Sequence, residues 1–370
     1  MPTTTVAIVG AGLSGLYAAF LLEQAGFTKD YQVLEARSRT GGRIASLAPE
    51  GFDLGPTWFW PGMQPGLDQL VHDLGLARFA QHDTGDLVFE HAGGVQRVRM
   101  PAYEGGPTSM RLAGGMGALA AALQRRLDPA RTTTGQTVRR IRLAGETLEL
   151  DSEDTAGHAT TWHARHVLLA LPPRLAAERI AVSPALPPPL QQSWQATPTW
   201  MAPHAKYLAV YRSPFWREQG LSGQARSARG PLAEIHDASM PGGRAALFGF
   251  LGLPARLRQS VADDVLRTHC RAQLARLFGP QALAPEADAL QDWAADPMTA
   301  SAADADAPGG HGSAPPHAPA SGPWQGRITG IASEWSPDFP GYLAGAIDAA
   351  QRGVQALLRQ PTLTTPGNRA

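Results

Sequence analysis

The sequence predicts an α/β fold in which a Rossmann-like dinucleotide-binding domain is joined to a second, reduced α+β domain. Three observations point there. A strand, a GxGxxG turn and a helix follow one another near the start, and an acidic residue stands twenty positions beyond the last of those glycines. The 370 residues, 43% of them hydrophobic, are enough for one large or two modest domains, each with a real core.

The opening strand is the apolar run "VAIV", which ends at Gly10. The helix is read from Leu16, Ala19, Phe20 and Ala25, which recur at helical spacing, with Gly26 as a natural stop. Gly10, Gly12 and Gly15 let the backbone approach a pyrophosphate closely. Together with Ser14 they place main-chain amides at a helix N-terminus, where an anion is favoured. Glu35 closes the next strand and is suited to accept hydrogen bonds from ribose hydroxyls. The following "EARSRTGGRI" carries Arg37, Gly41, Gly42 and Arg43, a second loop able to close over the pyrophosphate with arginine.

Composition narrows the partner. Lys+Arg and Asp+Glu are equal at 32 each, so the basic footprint of a nucleic-acid binder or a polybasic membrane binder is missing, and a small-molecule partner is expected. Cys270 is the single cysteine and lies in a helical-looking run, so we expect a buried core thiol, with neither an intrachain disulfide nor a cysteine-based metal site. His311 and His317 lack accompanying acidic or cysteine ligands, so surface histidines are expected and no metal. No apolar stretch reaches membrane-spanning length and no leader pattern is read, which makes a cytoplasmic protein the expectation. Oligomeric state is left open. Lysine occurs only at positions 29 and 206, and Lys206 is conspicuous in the strand-like "AKYLAVY".

With those residues in view, the sequence resembles the flavin amine oxidase family, whose members carry an E-A-R-x-R-x-G-G-R pattern. The resemblance implies FAD, a small primary or secondary amine as substrate, hydride transfer to flavin N5, and reoxidation by O2 to give H2O2; the FAD is expected to be non-covalent because alanines stand near the position of the flavin-bonded cysteine of some relatives. "GFDLGPTWFWPG" looks like the family loop under the flavin, which puts Gly55 and Trp58 near the isoalloxazine, with Pro56 where a second glycine is common. Val138, in "GQTVRRIRL", matches the valine whose backbone meets the adenine. Lys206 coincides with the lysine that holds a water against N5, and Trp293 with a tryptophan beside the flavin. Glu334 matches an acidic residue that meets the cofactor, and Tyr342 one wall of the aromatic enclosure for the amine. From Leu343, the residues Leu343, Ala346, Ile347, Ala350, Val354 and Leu357 describe a helix whose N-terminus suits the N1 and C2 oxygen region of reduced flavin.

The resemblance also implies a domain plan. Residues 1–72, 108–190 and 324–360 form a discontinuous FAD-binding domain of the amine oxidase type; 73–107 and 191–323 form the substrate domain. Two departures stand out. The helical insertion of the substrate domain is replaced by a short, hairpin-like "LVFEHAGGVQRVRM". The second wall of the enclosure, where some relatives carry a flavin-bonded cysteine, falls near Ala302 and Ala303, ahead of a low-complexity Ala/Gly/Pro/Ser loop within 301–323. Trp60, Trp200, Phe215, Trp216 and Trp324 are candidate replacements for that wall, with core packing the default for Phe215 and Trp216. Two other readings stay open: an FAD-dependent desaturase or small oxidase acting on a non-amine cyclic or dihydropyridine-like molecule, and a flavin-binding protein without turnover.

Overall fold

The computed structural model describes residues 2–28, 30–91, 93–98, 107–305 and 310–360; Lys29 and parts of the stretches 73–107 and 301–323 lie outside them. The chain divides into two compact units. One comprises Met1–Arg43, Ala120–Trp200 and Gly310–Ala370, the other Ile44–Leu119 and Met201–Gly309. The border expected after residue 72 is drawn at 43/44 in this division, and 108–119 also falls in the second unit. The physical reason is Phe52, which is fully buried in a cluster with Leu208, Val210 and Phe248, so the segment carrying it belongs with their sheet. Residues 191–200 and 310–323 fall with the first unit, where Trp194 joins the core of Val9, Leu34 and Leu169.

The first unit is built on a five-stranded parallel sheet in the order Ile328–Gly330, His166–Leu169, Val6–Val9, Tyr31–Leu34, Thr132–Thr133. Val6–Val9 is buried at every position, as a central parallel strand covered on both faces must be. The helix Leu13–Gln24 follows, packed against Leu343–Leu358. Its buried set is Leu13, Ser14, Gly15, Leu16, Ala18, Ala19 and Leu22, broader than the stripe read from sequence: Phe20 is half-buried and Ala25 exposed. Gly26 ends it as expected. With φ of +89°, its amide bonds Glu23 O and the Phe27 amide bonds Leu22 O, the paired Schellman closure. In the last helix Ala346, Ile347, Ala350, Val354 and Leu357 are buried, and Leu343 is partly so. A four-stranded sheet, Ala159–Ala164, Thr147–Glu153, Thr137–Ala144 and Ala181–Ser183, completes this unit.

The second unit holds a seven-stranded sheet ordered Ala287–Asp292, Ala205–Tyr211, Ala245–Leu251, Leu232–Asp237, Leu221–Ser227, Asp86–His91, Gly94–Val98. Its last two strands are the expected hairpin, paired antiparallel from Leu87↔Val98 to His91↔Gly94. Ala205–Tyr211 is buried throughout, and its alternation separates two cores. Ala205, Tyr207, Ala209 and Tyr211 face a cluster containing Phe278 and Cys270 of the helix Asp263–Phe278. Leu208 and Val210 face the other way, towards Phe52 and Phe248, and Lys206 shares their side of the strand. Cys270 is the expected core thiol, fully buried and pushed up to about 12 by burial. Phe215 and Trp216 pack in the same cluster, while Trp324 is buried in the first unit with its indole N–H donated to Pro184 O.

Candidate active site

In the first unit the glycine turn is dictated by space. Gly10 has φ of +107°, and a Cβ there would stand 2.8 Å from Ala170 O. A Cβ on Gly15 would lie 2.0 Å from Gly10 O, which no side chain tolerates. The helix after it has Gly12 as N-cap, with no capping side chain and no acidic residue in its first turn, and its first ladder bond is Leu16 N–H to Gly12 O at 3.0 Å. The amides of Leu13, Ser14 and Gly15 therefore precede the ladder, at the positive end of the helix.

Glu35, 3% exposed, sits beside this turn. Its Oε2 accepts the Ala11 amide at 2.7 Å and its Oε1 the Arg37 amide at 2.8 Å, with the Arg37 guanidinium 3.9 Å away. Each carboxylate oxygen keeps accepting capacity for a hydroxyl. The loop through Gly41 and Gly42 lies against the turn: Gly41 N–H donates to Ala11 O at 2.8 Å, and a Cβ on Gly42 would be 3.1 Å from the Gly12 Cα. The strand leading to Val138 is tied to the same place, Gln136 N–H donating to Glu35 O and Gly135 N–H to Arg37 O. Val138 is buried beside a register shift that breaks the ladder before Arg140. Helix-start amides that find no ladder partner among the described residues, a fixed buried carboxylate, and Gly10 and Gly15, where a Cβ would strike backbone, fit the pyrophosphate and ribose of FAD.

Arg43 makes a two-bond pair with Glu334, at 2.5 and 3.0 Å, and also donates to Ser333 Oγ and Trp200 O. Burial pushes Glu334 up, but the attraction and hydrogen bonds of Arg43 outweigh it and hold the carboxyl below its ordinary value. Tyr342 is the N-cap of the last helix, which has no acidic residue in its first turn, so Leu343 and its neighbours offer amides there. The Tyr342 ring stacks on His311, centroids 4.2 Å apart and planes 8° apart, and the Trp200 ring lies 3.9 Å from that of His311, tilted by 32°.

In the second unit Lys206 is 2% exposed. Its Nζ donates to Gly55 O at 2.7 Å, Thr57 Oγ1 at 2.7 Å and Asp53 O at 3.3 Å, and it lies 4.2 Å from the Phe248 ring centroid and 5.3 Å from that of Phe250. All three ammonium protons are engaged. Burial pulls Lys206 down to about 7, opposed by Asp53 and helped by Arg111. Asp53 is pushed up to about 6 by burial, against the pull of Lys206 and Arg111. Its Oδ1 accepts the Met116 amide at 2.7 Å, and its Oδ2 is buried without a hydrogen-bond partner among the described residues. Trp293 donates to Leu54 O at 3.1 Å. Trp58 donates to Gln81 and packs on Phe248 and His236. One loop, 53–58, thus gathers Lys206, Gly55, Trp58 and Trp293 in this unit.

The remaining sequence candidates, Gly10, Gly12, Ser14, Gly15, Glu35, Arg37, Gly42, Arg43, Val138, Glu334, Tyr342 and Leu343, all belong to the first unit. Sequence reasoning missed Asp53, Thr57, Arg111, Phe248 and Phe250; the alternation in "ALFGFL" places the two phenylalanines on one sheet face, but only strand pairing brings them to Lys206. It also took His311 for a surface histidine. The residue is exposed, yet its ring is held between two aromatics. Ala302 and Ala303 are exposed in the short helix Ala302–Ala305.

The sequence profile of the flavin containing amine oxidoreductases matches residues 79–358, well over half of the chain, and that of the NAD(P)-binding Rossmann-like domains matches residues 8–85. The chain belongs to the flavin-containing amine oxidoreductase family. Among related proteins are a probable flavin-containing monoamine oxidase A of Dictyostelium discoideum, 24% identical over 78% of this chain and 83% of that protein, and the putrescine oxidase of Kocuria rosea, 26% identical over 80% and 83%. The putative flavin-containing monoamine oxidase AofH of Mycobacterium tuberculosis is 32% identical over 72% of this chain, a span covering 56% of AofH. Two solved structures share the fold: a putrescine oxidase bound to putrescine (TM-score 0.79, 21% identity, 97% of this chain and 99% of that one) and the cyclohexylamine oxidase of Brevibacterium oxydans (TM-score 0.78, 22% identity, 96% and 99%). This flavin amine oxidoreductase is therefore an FAD-dependent enzyme that oxidises amines. Among its described residues, no helix is long and apolar enough to cross a membrane.

Proposed function

We propose that the enzyme oxidises a small primary or secondary amine to its imine with non-covalently held FAD and uses O2 as electron acceptor. The observation that carries the reading is Lys206, a buried lysine fastened to loop 53–57 under two phenylalanine rings. When bound, FAD would supply the two-electron acceptor for the hydride equivalent that leaves the amine α-carbon, with O2 as the terminal acceptor and H2O2 as the product.

The protein's share is binding and orientation. The amides of Leu13, Ser14 and Gly15 hold the pyrophosphate, Glu35 the ribose, and Val138 the adenine edge. Arg37 and Gly42 shape the loop over the pyrophosphate, and the Arg43–Glu334 pair fixes the loop before the last helix. Gly55, Trp58, Trp293 and the amides at Leu343 are assigned to the flavin ring. Tyr342 aligns the amine, whose lone pair must be free for its C–H to be a good hydride donor. Lys206 is assigned the water at N5 and hence reoxidation. To reach that water it exchanges its longest bond, the 3.3 Å contact with Asp53 O. Non-covalent attachment is supported by Cys270, the only thiol, which is enclosed in the core of the second unit. A chain with one buried cysteine and no disulfide to keep suits the cytoplasm, the compartment we assign.

The test is anaerobic mixing of the flavin-loaded enzyme with aromatic, aliphatic, cyclic and polyamine substrates, putrescine and cyclohexylamine among them, followed by O2 and a peroxide assay. Loss of the oxidised flavin band with one amine class and stoichiometric peroxide on aeration is the expected result. Bleaching only by a non-amine would transfer the site to the desaturase reading.

A further inference from the structure

We propose that His311 is a positioning residue for Tyr342: its ring, wedged between Trp200 and Tyr342, fixes the phenol at the angle from which it aligns the substrate. The proposal rests on the reading of Tyr342 as the substrate-aligning wall. Three stretches of the first unit converge here. The His311 ring lies 4.2 Å from that of Tyr342 and only 8° from parallel, and 3.9 Å from that of Trp200 at 32°. His311 is itself pinned, because its Nδ1 lies 2.7 Å from Pro340 O. A carbonyl only accepts, so Nδ1 carries the hydrogen and the imidazole cannot turn about its own axis without losing that bond.

The backbone is shaped to admit the stack. Gly341 has φ of +83°, and a Cβ there would meet Trp200 Cβ at 2.6 Å and His311 Nδ1 at 3.2 Å. Any side chain immediately before Tyr342 would push both rings away. Trp200 is anchored in turn through its carbonyl, which accepts from Arg43 at 3.3 Å, and Arg43 is locked to Glu334. The chain of contacts therefore runs from an ion pair through an indole and an imidazole to the phenol. An exposed histidine from an Ala/Gly/Pro/Ser loop gains nothing for a hydrophobic core by this arrangement. What the arrangement does is hold one ring. With His311 covering one face of Tyr342, substrate must meet the phenol elsewhere, and the plane it meets is set by the stack.

The test uses the flavin-loaded enzyme with 3-fluorotyrosine incorporated at its six tyrosines. The Tyr342 resonance is assigned as the one missing in Y342F. In H311A that resonance should move, as stacked ring currents are lost. The limiting rate of anaerobic reduction by the best amine should fall by about tenfold or more, while the amine Kd moves less than about threefold, the signature of lost orientation. H311F, which restores a flat ring, should recover most of the rate and the resonance. A displaced resonance with an unchanged rate, or a lowered rate with an unmoved resonance, would overturn the proposal. If no amine reduces the wild-type flavin, the amine reading fails and takes the proposal with it, while the ring stack is still read independently from fluorine.

Discussion

Lys206 and Thr57 stand 149 residues apart in sequence and meet in a 2.7 Å hydrogen bond at a site where the lysine is 2% exposed. Its folded pKa, lowered to about 7, lies below the ordinary lysine value of 10.5. Between those two values the unfolded chain binds more protons than the folded one, so the contribution of Lys206 to stability rises with pH across that window. Asp53 runs the other way: raised to about 6, it contributes stability that is present below 3.8 and lost as pH climbs through 6. The K206M variant should lack the rise between about pH 7 and 10, seen as a gap in urea midpoint against wild type that widens as pH climbs through that window; a gap independent of pH would reject the lowered lysine. It should also slow reoxidation by O2 by at least about tenfold, with anaerobic reduction changed far less; equal losses in both steps would remove its assigned role.

Glu35 tests the cofactor cradle. Glutamine in its place turns one acceptor into a donor facing a backbone N–H, either that of Ala11 or that of Arg37. A lost charge-assisted bond is worth about 1.5–3 kcal/mol, so the Kd for FAD should rise by roughly 10- to 100-fold, measured by flavin fluorescence on titrating the apoprotein.

Arg43→Met leaves Glu334 buried without its partner. Removing one member of a fully buried pair costs about 3–5 kcal/mol, and because Arg43 is 26% exposed we expect less than that, about 2–3 kcal/mol. Glu334 is held below the ordinary 4.5, so the stability from the pair is present above that value and lost as pH falls through the lowered one. R43M should therefore trail wild type most at neutral pH, and the gap should close as pH falls below 4.5, read from urea midpoints by circular dichroism at each pH.

Tyr342→Leu should keep FAD bound and slow the reductive half-reaction by about 10- to 100-fold, since leucine fills space without presenting a ring to the amine. Stopped-flow bleaching at saturating amine checks this, and unchanged kinetics would reject the aligning role.

The parts of the site that were legible in the sequence depend on short spacing. Gly10, Gly12 and Gly15 act through the turn they themselves form, and Glu35 follows one strand later, so the cradle is written in a single contiguous stretch. Gly26 was legible for the same reason. The surroundings of Lys206 were not, because they depend on strand register: Lys206 pairs with Phe250 and Leu208 with Phe248, and no local pattern announces that 245–251 neighbours 205–211. The helical stripe through Phe20 and Ala25 misled because Leu13–Gln24 is buried over most of its circumference, erasing the polar face that a periodicity argument relies on. His311 was hidden differently. Its loop has neither period nor composition to suggest structure, and its role appears only where Gly341 lets two rings close on it.

Cys270 turns this chain into its own opening gauge. As the single thiol, fully buried on the helix Asp263–Phe278 and with its pKa pushed up to about 12, it is inert to thiol reagents while its surroundings stay shut. Its labelling rate in native buffer therefore counts the excursions in which the seven-stranded sheet and its covering helix part. That clock runs for the second unit alone, so adding FAD, an amine or both, and watching whether it slows, weighs how strongly each ligand stiffens that half of the enzyme.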